Sequence, residues 1–72
     1  MDDETPVERH AAIHFQLARL RQEHQDLDAA VEALNGLAIP DQLRIARMKK
    51  RKLILRDQIA KLENQLTPDL IA

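Results

Sequence analysis

The sequence predicts an all-α protein: a two-helix antiparallel hairpin, coiled-coil-like, that assembles with a second copy into a four-helix bundle. Three observations predict it. His10, Ile13, Leu17, Leu20, His24, Leu27, Val31 and Leu34 follow one another in steps of three and four, and so do Ile45, Met48, Lys52, Leu55, Ile59, Leu62 and Leu66. A repeat averaging about 3.5 residues is the signature of helices that pack along a seam. Asn35-Gly36 and Pro40 separate the two sets, a helix stop followed closely by a new start. Run antiparallel, the sets mirror each other: Val31 meets Ile45, Leu27 meets Met48, Leu20 meets Leu55, Leu17 meets Ile59 and Ile13 meets Leu62.

Each element has its own local cause. Thr5-Pro6-Val7-Glu8 combines an N-cap threonine, a proline at the first helical position and a glutamate that closes a capping box, so helix one is expected over residues 6–35. At the standard rise it would be about 45 Å long. Gly36 is expected to supply the left-handed residue that ends it. The loop 36–40 is short, as between antiparallel neighbours, and Asp41 puts a negative charge at the start of a second helix expected over residues 41–66. Thr67-Pro68 ends that helix, and the tail 67–72 docks through Leu70 and Ile71 or frays. The whole chain, 1–72, reads as one domain.

The same register makes a prediction for the flanks. Glu23 falls near Arg51, Asp28 near Lys49, and His14 near Glu63, all attractive, while Arg21 falls near Arg56. His24 faces Lys52, a polar layer inside an apolar seam.

Composition limits what holds such a chain together. Seventy-two residues bury a core worth only a few kcal/mol unless they are stapled or oligomeric. There is no cysteine, tyrosine or tryptophan and one phenylalanine, so no disulfide is available and the core is aliphatic. Self-association is the remaining route to stability. The acidic start lacks the basic and apolar regions of a secretory leader, and no long apolar run exists to span a membrane; a soluble cytoplasmic protein is expected. Residues 1–43 hold three basic and nine acidic side chains and residues 44–72 eight and three, so the halves carry −6 and +5. Such halves pair with each other, or the basic one meets an acidic partner.

More apolar surface is present than one seam uses. Ala11, Phe15 and Ala18 form a second line on helix one, and Leu43, Ala46, Leu53 and Ala60 a second line on helix two. Ala11, Phe15, Ala18 and Leu53 are therefore the candidate oligomer interface, and a homodimer of hairpins is the simplest closed arrangement that covers them.

The stretch His24-Gln25-Asp26-Leu27-Asp28 with Val31 and Leu34, and the stretch from Met48-Lys49-Lys50-Arg51-Lys52-Leu53 through Ile54-Leu55-Arg56-Asp57-Gln58-Ile59, resemble the YdcH-like family of small bacterial proteins. The shared pattern is H-x-x-L-D-x-x-I in the first helix and L-K-x-x-K-L-x-L-K-D-x-I in the second. Here Val31 stands for isoleucine, Met48 for leucine and Arg56 for lysine. The resemblance implies a helical hairpin that associates into bundles in the bacterial cytoplasm, with no established activity. The pattern matches His24, Asp28, Lys49, Lys52 and Asp57, polar positions at or beside the seam.

Candidate sites are few. The His24–Lys52 layer is expected to set register, with Lys52 extending its head to Asp28 or solvent; the sharper account is a pH-sensitive contact between two cations. His10 and His14 share a helix face at a spacing that chelates metals, with Glu63 as a third ligand, yet no H-E-x-x-H pattern accompanies them and no metal is expected. Residues 44–56 hold seven cations and no acid, which raises nucleic-acid contact through Arg44, Arg47, Lys50 and Arg51. No aromatic side chain is interleaved for stacking. Catalysis and cofactor binding are not expected: there is no serine or cysteine and a single glycine, so threonine is the only hydroxyl nucleophile on offer and a phosphate-cradling loop is missing. The resulting expectation is a small non-enzymatic interaction module that forms a homodimer, with a non-specific nucleic-acid-associated protein as the alternative.

Overall fold

The computed structural model describes residues 6–66, which form two α-helices, α1 (Pro6–Asn35) and α2 (Gln42–Leu66), packed against each other as a hairpin. No strand occurs among the described residues. Thr5 at the expected capping box, and Thr67, Pro68, Leu70 and Ile71 at the expected helix stop and tail, lie outside them. No helix among the described residues is long and apolar enough to cross a membrane.

The turn closes differently from the expectation for Gly36. No described residue, Gly36 included, has a left-handed backbone. The last turn of α1 tightens instead: the Gly36 amide donates to both the Glu32 and Ala33 carbonyls, at 3.1 and 3.2 Å, and the Leu37 amide donates to Leu34 at 3.3 Å. Bonds three residues apart satisfy the orphan carbonyls at the helix end without a left-handed residue. A β-carbon added at Gly36 would meet only the Ala33 and Glu32 carbonyl oxygens, at 3.6 and 3.7 Å, ordinary contacts.

Asp41 caps α2 rather than opening it as a helical residue. Its carbonyl accepts the first helical bond from the Ile45 amide at 3.0 Å, and its side-chain Oδ1 accepts from the Arg44 amide at 3.0 Å. One of the four donors left over at the helix start is thereby satisfied, and the carboxylate sits at the positive end of the helix dipole.

The core is a single line between the helices. Ile13, Leu17 and Val31 of α1 and Ile45 and Leu55 of α2 are buried, with Leu17 and Leu55 at 1% and 0% exposure. Leu20, His24, Leu27 and Leu34, and Met48, Lys52, Ile59, Leu62 and Leu66, are half-buried along the same line, while His10 is exposed. Two cylinders in contact shield the middle of each facing stripe fully and its margins only partly, which accounts for so short a set of fully buried side chains. No polar or charged residue is fully buried among the described residues, so the core carries no unpaired polar group.

Leu55→Ala should cost about 2 to 5 kcal/mol, comparable with the whole stability of a chain this short. Leu20→Ala, at a half-buried site, should cost less. Urea titration followed by circular dichroism measures both, and a loss below about 0.5 kcal/mol at Leu55 would remove it from the core. Gly36→Ala should be neutral or stabilise by about 0.4 to 1 kcal/mol, because the alanine loses fewer unfolded conformations. A comparable loss in the same titration would mean that the position needs a left-handed residue.

Candidate functional site

With the helices antiparallel, the charges of α1 and α2 meet across both flanks of the seam. The Arg51 Nε donates to Glu23 at 3.1 Å on one flank. On the other, the Arg21 guanidinium donates to Glu63 at 2.6 Å and the Lys52 ammonium donates to Asp28. Asp28 takes Lys52, as expected for the head of that side chain, rather than the facing Lys49, and Arg21 reaches Glu63 rather than lying against Arg56. Helical side chains lean toward the N-terminus of their own helix, and in an antiparallel pair the two leans oppose each other. Long side chains on the flank therefore converge on partners well beyond the residue facing their own backbone.

This arrangement makes Asp28 more acidic. The hydrogen bond from Lys52, and then the positive charge of Lys52, hold its carboxyl below the ordinary value of 3.8, with a small further contribution from His24. Lys52 is mostly covered along its stem while its head reaches the exposed Asp28. The layer between the helices thus contains the half-buried His24 ring and the methylenes of Lys52, with the ammonium carried out to the flank.

The concavities beside the seam are shallow and open. One is lined by His24, Lys49, Lys52, Leu53 and Arg56, and another by His14, Leu17, Arg21, Glu63, Asn64 and Leu66. His14 and Glu63 thus border one groove, but Glu63 accepts from Arg21 and His10 is exposed at the edge of another. Among the described residues no three His, Cys, Asp or Glu side chains are grouped to hold a metal ion.

The basic segment of α2 is divided by its partners. Arg44, Arg47, Lys50 and Arg51 are all exposed. Arg51 is bound to Glu23, and Arg44 lies 3.8 Å from Asp41. Arg47 and Lys50 form no ion pair among the described residues and stand on the side of α2 away from α1. The four do not act as one free patch.

The outer faces are apolar and uncovered. Ala11, Phe15 and Ala18 on α1 and Leu43, Ala46, Leu53 and Ala60 on α2 are all exposed, Phe15 at 68% and Leu53 at 56%. Ile54, next to Leu53 in an apolar turn of α2, is bare as well, and so are Leu37 and Ile39 at the turn and Val7 at the start of α1, which sequence reasoning did not single out as a surface. Their apolar character was readable; that no further described element returns over them was not.

A family model described as a protein of unknown function (DUF465) matches residues 17–63. The chain belongs to that family. No curated protein and no solved structure matches it. The DUF465 span contains the three cross-helix ion pairs and the Asp41 cap, whereas Ala11 and Phe15 lie before it.

Because the folded Asp28 is more acidic than the unfolded one, its bond to Lys52 contributes stability above the ordinary aspartate range and loses it as pH falls through the lowered value. Asp28→Asn should therefore be less stable than the parent at about pH 6, with the difference closing below about pH 4. Urea midpoints at both pH values test this, and a difference that persists in acid would trace the loss to something other than the charge.

Proposed function

We propose that this DUF465 hairpin is a non-enzymatic protein-interaction module of the cytoplasm that associates with a second copy of itself. The observation that carries the proposal is the row of large apolar side chains left bare outside the seam, Phe15, Leu43, Leu53 and Ile54 among them. With five side chains fully buried among the described residues, there is a strong thermodynamic reason to cover these. A two-fold dimer covers one helix's share of this surface with closed geometry and no open-ended growth. The absence of serine and cysteine from the sequence and the shallow, open grooves support a role in binding rather than chemistry.

One observation supports the second reading, contact with nucleic acid. Arg47 and Lys50 project from α2 without an acidic partner among the described residues, and no acid lies between Asp41 and Asp57. The engagement of Arg51 by Glu23, and of Arg44 by Asp41, weighs against it.

Sedimentation velocity of the purified protein, alone and with a fluorescent DNA duplex at low and moderate salt, separates the two. The expected result is a dimer with the DNA left free. A monomer across the accessible concentration range would overturn self-association. DNA that co-sediments at low salt and is released as salt rises would make the basic face of α2 the functional surface.

A further inference from the structure

We infer that the outer face of α1 is the surface on which the second copy docks, antiparallel, with a two-fold axis beside Gln22. This rests on the self-association proposed above and specifies its surface and register. Ala11, Phe15, Ala18, Gln22, Ala29 and Ala33 recur at helical spacing on the side of α1 opposite the seam, and all six are exposed. None is charged, in a chain in which about a third of residues are. Phe15, the single aromatic residue, stands in this face at 68% exposure.

The face is complementary to itself only in one direction. Reversed about Gln22, Phe15 of one copy lies opposite Ala29 of the other and Ala11 lies opposite Ala33, so the large ring meets a small residue and the backbones approach closely along the rest. A parallel copy would set Phe15 on Phe15 and hold the helices apart over the alanine layers.

Charge selects the same arrangement. Arg21, Glu23 and Asp28 are turned toward α2 by their bonds to Glu63, Arg51 and Lys52. Between His14 and Glu32, the ionisable side chains left at the two edges of the outer face are then Arg19 with Asp26, and His14 with Glu32. Asp26 accepts a hydrogen bond from Gln22 at 2.9 Å, which places its carboxylate on this face. Under the two-fold, Arg19 lies beside Asp26 of the second copy on one edge, and His14 beside Glu32 of the second copy on the other, each pair occurring twice. The outer face of α2 is less suited to close packing, because the charged Arg47, Lys50, Asp57 and Lys61 stand in it among the apolar side chains, whereas that of α1 carries no charge. The dimer is accordingly a layer of four helices with the two α1 helices at its centre.

Single cysteines test the register, since the chain has none of its own. Gln22→Cys should form a disulfide-linked dimer in a glutathione buffer, because the two-fold brings position 22 onto itself within disulfide reach. Ala11→Cys and Ala33→Cys should each stay monomeric in covalent terms, their mates being about 33 Å away, while a mixture of the two should cross-link. Phe15→Glu should weaken the dimer by more than about tenfold with helix content unchanged. Efficient self-linking of Ala11→Cys would mean a parallel dimer and overturn the inference. A parent protein that sediments as a dimer while Gln22→Cys does not cross-link would overturn this surface and leave self-association standing. A monomeric parent would overturn both.

Discussion

Two helices can shelter only the stripe that each turns toward the other, and that geometric limit governs everything else in this hairpin. Leu17 and Leu55 are sealed at the centre of the contact, with Ile13, Val31 and Ile45 beside them, and the rest of the stripe is half-covered. Sealing so few side chains leaves little surplus over the conformational entropy of ordering the chain. The local devices at the turn matter more than they would in a larger domain. Asp41 caps α2, and the tightened last turn of α1 satisfies carbonyls that would otherwise be unpaired.

The ion pairs stand in a different relation to the seam. Each lies on an exposed flank, where such a pair contributes about 0.2 to 1 kcal/mol. Their value is directional: Glu23 with Arg51 on one flank, and Asp28 with Lys52 and Arg21 with Glu63 on the other, bracket the apolar line, and sliding one helix past the other would break them together. Lys52 joins the two systems, with its stem in the seam and its head on Asp28. The half-buried His24 beside it completes a polar layer that interrupts the leucines and so disfavours shifted pairings.

The functional reading grows out of the same shortage. Surface that one seam cannot cover remains apolar on the backs of both helices, but the two backs differ. That of α1 is neutral and interrupted by small residues, whereas that of α2 interleaves Leu43, Leu53 and Ile54 with the charged Arg47, Lys50 and Asp57. A face without charge gives up less hydration on being covered than one that carries charged side chains.

The sequence by itself determined that there are two helices joined by a short turn, because steps of three and four, a proline and an asparagine-glycine pair act over a few residues of local backbone. It also carried the family, through the pattern from His24 to Ile59. Only the tertiary structure decided which stripe residues are sealed and which partners the flank charges take. Arg21 bonds to Glu63 because opposed side-chain leans carry long groups past the residues facing their backbones, and of the two places the sequence left open for the Lys52 head, Asp28 or solvent, the structure takes Asp28. The ordinary backbone of Gly36 belongs to the same class, since a glycine permits a left-handed turn without requiring one. Local signals name the elements; the direction in which side chains reach across them is set by the packed pair.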